Sequence, residues 1–315
     1  MQSSTIFINA LKQPLVSIIV TTYNSSKYVL QTLESAKKQT YQNIELIVSD
    51  DCSGDNTIEL CERWIESNHH WFVRTKLVSS PVHTGITFNF NRGLKIAKGD
   101  WIKFIAGDDI LKDTCIDTFI KHINNSTEDI QILCGLAKTF TNNVVFEDSD
   151  DRFVNKLDLF FTRSAREQYA LLLKANRIMA PAVLIKRSLL ISMDGFDNNY
   201  PMLEDYPFWL KITEKGIKIY GVSEIVTFYR IHSESVYSSA LLQPYIINPF
   251  FEHLEHFERN YVFKRLTYVQ KLERRFRYAR YRLIVYLGNN RNNYFVRYLN
   301  ACLRLMNRTS PCEIR

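Results

Sequence analysis

Three pairs of adjacent acids stand out in the chain: Asp50-Asp51, Asp108-Asp109 and Glu204-Asp205. Like charges in succession cost energy unless a cation or a hydrogen-bond donor compensates them, so such pairs are candidates for chemistry. The first two close the runs IELIVSD and WIKFIAGDD, which read as strands ended by polar turns. A carboxylate pair at a strand end can offer one ligand to Mg²⁺ or Mn²⁺ and one acceptor to a ribose hydroxyl. The ion would bridge a diphosphate and act on it as a Lewis acid. The plainer alternative is a solvated acidic turn. Glu204-Asp205 precedes the segment DYPFWLKITEKG. An acid there either caps a helix or serves as a fixed general base for an attacking hydroxyl.

These side chains need elements to hold them. LVSIIVTTYN, IELIVSD, residues 74–79 and WIKFIAGDD read as strands, and they alternate with helical periodicity over 26–38, 57–67 and 85–97. Tyr28, Val29, Leu33 and Ala36 form the inner side of the first helix. The alternation predicts βαβ units and a mostly parallel sheet flanked by helices, whose ligands bind at the carboxyl ends of its strands. Residues 130–239 are mixed, with ILCGLAKTF, APAVLIKRS and EIVTFYRIH as strands and 163–175 and 205–215 as helices. From about residue 244 the pattern is helical throughout. The expected division is an α/β domain over 1–239 and a helical segment over 240–315.

Charge separates the same two regions. Residues 240–315 hold 14 Lys+Arg against 5 Asp+Glu, whereas the remainder holds 26 against 28. Arg274, Arg275, Arg277, Arg280 and Arg282 interleave with Phe276, Tyr278, Tyr281 and Leu283. A basic, aromatic amphipathic helix suits an anionic membrane surface, and it equally suits packing on the rest of the chain or a homo-oligomer contact. No nucleic-acid motif accompanies the charge, so nucleic acid is not expected as a partner. No apolar run is long enough to span a bilayer, and MQSSTIFINALKQP lacks the features of a secretory signal. The expected location is the cytoplasm, with peripheral attachment to the inner face of the membrane. Six cysteines without a C-x-x-C pair read as reduced thiols. The N-x-S/T triplets at Asn24, Asn124, Asn125 and Asn307 read as coincidental.

The segment VSIIVTTYNSSKYVLQTLESAKKQTYQNIELIVSDDCSGDNT resembles the opening of family-two glycosyltransferases of the GT-A fold, with Thr22-Tyr23-Asn24, Gln39, Glu45, Ile47, Asp50, Asp51, Ser53 and Asp55 in step. GLKIAKGDWIKFIAGDD, MDGFDNNYPMLEDYPFWLKITEKG and YRIHSESVYS extend the likeness over about 240 residues. The resemblance implies a Rossmann-like domain that takes a sugar from a UDP-sugar and transfers it, with inversion, to a saccharide or lipid-linked saccharide acceptor in O-antigen or capsule assembly. It makes Asp51 the partner of the uracil ring, with Thr22, Tyr23 and Asn24 lining the nucleotide pocket. Asp108 would meet ribose or diphosphate, Asp109 and His232 the metal, and Arg230 a phosphate. Asp205 becomes the general base, with Glu204 as the fallback. The family often carries an acid where this chain has Ala106, which implies lean metal coordination. His69, His70 and His83 show no partner pattern, and Asn91 reads as structural or cleft-lining. The rival from another class is an inactive carbohydrate- or lipid-associated scaffold that keeps the fold.

Overall fold

The computed structural model describes residues 13–141, 144–145, 159–232, 248, 250–291 and 293–305. Strands β1 (Val16–Thr22), β2 (Ile44–Asp50), β3 (Arg74–Ser79) and β4 (Trp101–Ala106) pair in parallel in the order β3-β2-β1-β4. Strands β1 and β2 are buried along their whole lengths. A strand covered on both faces has no polar side to alternate with, so its sequence is a nearly continuous apolar run. Helices α1 (Val29–Lys37), α2 (Thr57–Asn68) and α3 (Ile86–Ile96) make the crossovers. Helix α1 begins three residues later than periodicity predicts. The Ser25 N–H donates to Thr57 Oγ1 (2.8 Å) and the Ser26 N–H to Asp55 Oδ2 (3.1 Å), so this backbone is committed to the neighbouring loop.

Beyond β4 the chain runs through β5 (Ile110–Leu111), α4 (Cys115–Asn125), β6 (Ile132–Thr141), β7 (Val144–Val145), α5 (Ala165–Leu172), β8 (Val183–Lys186), α6 (Arg187–Ser192), α7 (Asp205–Glu214) and β9 (Tyr220–Arg230). The sheet continues β4-β8-β6-β9-β5, with β6 and β9 parallel and β8 and β5 antiparallel to their neighbours. The expected α/β architecture is present, its parallel character concentrated in the first half. Strand β5 lies four places from β4 along the sheet, about 19 Å if flat at ~4.8 Å per strand. The step from Ala106 to Ile110 reaches at most about 14 Å. The sheet must therefore curl, and Asp108-Asp109 sits in the short turn where the curl closes.

Some motif residues serve the frame. Gln39 donates through Nε2 to the Lys112 carbonyl (2.9 Å) and accepts from the Ile116 N–H (3.1 Å). Glu45, fully buried, accepts from Ser17 Oγ, the Lys98 N–H and Arg74 Nη1. Asn91 clamps Phe196 by exchanging bonds with its N–H and C=O (both 2.9 Å).

The C-terminal part is helical as expected: α8 (Phe251–Phe257), a π-helical turn (Glu258–Val262), α9 (Tyr268–Gly288) and α10 (Tyr294–Leu305). The expected boundary at 239/240 lies outside the described residues. Phe257 is buried against Tyr200, Tyr206 and Tyr261. Glu214, at the end of α7, accepts from Tyr261 Oη (2.6 Å) and Arg265 Nε (2.9 Å). The first C-terminal turns thus brace the helix that Asp205 begins.

Candidate functional site

The turn after β2 is rich in donors. Asp50, fully buried, accepts from Thr22 Oγ1 (2.7 Å), Ser53 Oγ (2.6 Å) and the Ser53 N–H (2.8 Å). Asp51 accepts from the Thr84 and Gly85 N–H groups (3.0 and 2.7 Å), the Thr84 hydroxyl and Arg92 Nη2 (3.2 Å). His83 Nδ1 lies 2.9 Å from its Oδ2. Burial alone would raise the Asp51 pKa. The bonds from Thr84, Gly85 and Arg92 outweigh it and hold the group below the usual carboxylate range.

Of the residues expected beside Asp51, Thr22 bonds to Asp50 instead. Asn24, in the left-handed region at φ 49°, accepts from the Gly54 N–H through Oδ1 (2.8 Å) and steadies the loop. Tyr23 is half-exposed and stacks on His83 with centroids 4.1 Å apart. The pair forms an aromatic ledge beside Asp51. His83, Thr84 and Arg92 were missed by sequence reasoning. Their only signal was position: HTG follows β3, so it belongs to the same sheet edge as Asp51.

The turn after β4 is the opposite case. Asp109 is buried, and its Oδ1 accepts from the Arg230 N–H (2.8 Å). Burial, and then repulsion from Asp108, push its pKa well above the usual range, with that N–H, Lys103 and Arg230 only partly offsetting them. Lys103 itself is fully buried, with Nζ donating to the Phe104 carbonyl (3.0 Å) and to that of Pro181. Asp108 is more open, and its Oδ2 lies 2.9 Å from His232 Nε2. The imidazole therefore meets Asp108 directly, whereas Asp109 faces the backbone of β9. Arg230 is turned inward. Its guanidinium lies over Tyr28 and Phe140 (4.4 and 4.3 Å), and it donates to the Asp108 carbonyl (2.7 Å) and to Gln31 Oε1 (2.6 Å).

The third pair heads α7. Asp205 Oδ2 accepts from Asn176 Nδ2 (2.8 Å) and Oδ1 from the Tyr206 N–H (2.6 Å). Burial raises its pKa against these bonds. Burial, and then the Asp205 charge, push Glu204 to about 8. Tyr229 on β9 precedes the Arg230 whose N–H bonds to Asp109. Burial and the charges of Asp109, Asp108 and Glu204 all raise its phenol pKa, so the hydroxyl stays protonated.

The donor set has the chemistry for a hard divalent ion: a partly open carboxylate, Asp108, beside an imidazole, His232. Among the described residues no three His, Cys, Asp or Glu side chains are grouped to hold a metal alone. An ion here would complete its shell with substrate oxygens or water. A cation would also favour the ionised form of Asp109, which burial opposes.

Residues 17–189 match the family described as Glycosyl transferase family 2. The chain is 32% identical over 225 residues to UDP-Glc:alpha-D-GlcNAc-diphosphoundecaprenol beta-1,3-glucosyltransferase WfaP of Escherichia coli, covering 70% of this chain and 79% of that protein. Among solved structures it is similar to S. aureus TarS 1-349 in complex with UDP, with a TM-score of 0.54, 23% identity and 70% of this chain covered. The match spans 61% of that TarS chain. Mannosyltransferase PcManGT from Pyrobaculum calidifontis, solved with GDP-Man and Mn²⁺, gives a TM-score of 0.53 at 15% identity, covering 96% of this chain and 89% of the other. The two structural likenesses identify the fold as GT-A.

Proposed function

The chain belongs to glycosyltransferase family 2, and from that premise we propose that it transfers a sugar from a UDP-sugar, with inversion, to a lipid-linked saccharide in surface-polysaccharide assembly. The observation that carries the reading is the contact of His232 Nε2 with the partly open Asp108 carboxylate (2.9 Å) in the turn after β4, a donor pair suited to a divalent ion and a diphosphate. The relative WfaP, named for a UDP-Glc donor and a diphosphoundecaprenol-linked acceptor, supports the donor and acceptor classes.

In this reading the uracil stacks on the Tyr23–His83 ledge and meets Asp51. Asp108 and His232 would hold a Mn²⁺ or Mg²⁺ ion, and such an ion would supply neutralisation of charge on the departing diphosphate. Arg230 fixes the Asp108-Asp109 turn from behind and does not grip a phosphate. Asp205, ionised, accepts the proton of the acceptor hydroxyl as that oxygen bonds to C1 from the face opposite the nucleotide. The bond from C1 to the phosphate oxygen breaks in the same displacement, and UDP leaves with its electron pair. Asn176 keeps the Asp205 carboxylate in place, and Glu204 stays largely protonated at neutral pH.

The test is donor binding and hydrolysis across UDP-, GDP- and dTDP-sugars, with Mn²⁺ or with EDTA. Metal-dependent preference for one UDP-sugar is expected. Binding that survives EDTA would remove the ion from the scheme, and absence of any nucleotide binding would leave the inactive-scaffold alternative.

A further inference from the structure

Helix α9 is apolar on two opposite sides. One side carries Arg274, Tyr278, Tyr281 and Ile284, all buried against the body of the protein. The other carries Tyr268, Leu272, Phe276, Leu283 and Tyr286, all exposed, with Tyr286 at 86%. At 3.6 residues per turn these five fall within about 100° of arc and form one continuous strip along the helix. Helix α10 also exposes aromatic side chains, Tyr294 at 91%.

The cations of α9 divide between the two sides. Arg274 and Arg277 turn inward to the buried Glu258, and Arg282 bonds to Glu255 (2.5 Å). Lys271 and Arg275 lie along one edge of the exposed strip and make no ion pair among the described residues. Much of the tail's positive charge is thus spent on internal pairs, while its aromatic surface faces out.

We propose that this strip is a docking face for an anionic lipid bilayer, lying in the interface plane with its rings among the headgroups. Tyrosine suits that depth, since its ring is apolar and its hydroxyl stays wet. The edge cations add attraction to anionic lipid. A second copy of the chain is the poorer occupant, because 14 Lys+Arg against 5 Asp+Glu over residues 240–315 would set two cationic segments together. No helix among the described residues is long and apolar enough to cross a membrane, so α9 would lie on the surface. The inference deepens the proposed function, in that a lipid-linked acceptor would be met at the same surface.

The test is sedimentation of the full chain with vesicles of equal parts phosphatidylcholine and phosphatidylglycerol, beside vesicles of phosphatidylcholine alone. The protein should bind the anionic vesicles, and the double variant Phe276→Asp/Tyr286→Asp should lose at least tenfold in partitioning. Lys271→Gln/Arg275→Gln should lose about fivefold per residue. Ile191→Asp, at an exposed apolar position elsewhere, should bind as the parent does. UDP-sugar binding without vesicles should be unchanged in all three, which separates failure of this inference from failure of the donor assignment. Equal vesicle binding by all variants, or none by the parent, would overturn the proposal. So would a concentration-dependent dimer in sedimentation velocity that Phe276→Asp/Tyr286→Asp dissolves, since a second copy would then cover the strip.

Discussion

The Asp50-Asp51 and Asp108-Asp109 pairs share a sequence pattern and a sheet edge, and their electrostatics are opposite. Asp51 meets backbone N–H groups, a hydroxyl and a guanidinium, and its pKa is held low. Asp109 receives a single backbone N–H on its carboxylate, beside a second acid, and its pKa is driven up. Glu204-Asp205 falls on the Asp109 side of this division. A group held ionised by its own neighbours is a fixed acceptor. A group whose pKa burial raises changes state more readily when a cation or proton arrives. The balance of donors against burial, more than the acids themselves, separates the lowered pKa from the raised ones.

The largest effect should come from the side where burial raises the pKa. Asp205→Asn is expected to cut kcat by about 10³-fold, within the range for loss of a general base, with nucleotide-sugar affinity retained. Near-normal turnover in a coupled UDP-release assay would remove Asp205 from that role.

Stability should then invert the order. Asp51→Ala leaves Arg92 without its carboxylate and should cost about 3 kcal/mol in chemical denaturation, the scale for breaking a buried pair. Asp109→Asn keeps an oxygen for the Arg230 N–H and removes a charge that burial disfavours. In metal-free buffer at pH 8 it should be no less stable than the parent, and a loss matching that of Asp51→Ala would erase the contrast.

A smaller, pH-dependent effect follows at Glu204. A carboxyl whose folded-state pKa is raised stabilises the fold while protonated. Its contribution is complete below about 4.5 and is lost as pH rises towards about 8. Glu204→Gln should flatten the fall in stability across that window, read from denaturation curves at successive pH values. Smallest is Asn176→Ala, expected to lower kcat about tenfold at unchanged donor KM. Asn176 holds the Asp205 pKa down, so its loss should move the acidic limb of the rate profile to higher pH. A rate change without that movement would make Asn176 merely structural.

Much of this was legible in the chain. Strands β1, β2 and β4 read clearly because burial on both faces leaves nearly continuous apolar runs. The pairs at 50–51, 108–109 and 204–205 stood out by their places at strand ends and before a helix, since adjacency alone recurs at Glu128-Asp129, Glu147-Asp148 and Asp150-Asp151. Their partners did not. The position of HTG after β3 was a hint for Thr84, but nothing in the spacing links Asp51 to Arg92, which reaches it from helix α3. The arginines of α9 show a second limit. The sequence gives their number, but which turn inward depends on Glu255 and Glu258, which arrive on another helical segment.

The bond from the Arg230 N–H to Asp109 spans 121 residues, and it carries a consequence for the order of assembly. At about 5–20 residues per second of synthesis, β9 leaves the ribosome roughly 6–24 s after the turn it completes. The β1–β4 layer can form in that interval, yet Asp109 lacks the donor that fixes it. The nascent chain therefore passes through a stage that has the β1–β4 layer and an Asp108-Asp109 turn still without its anchor, and a chaperone would meet that half-built edge first.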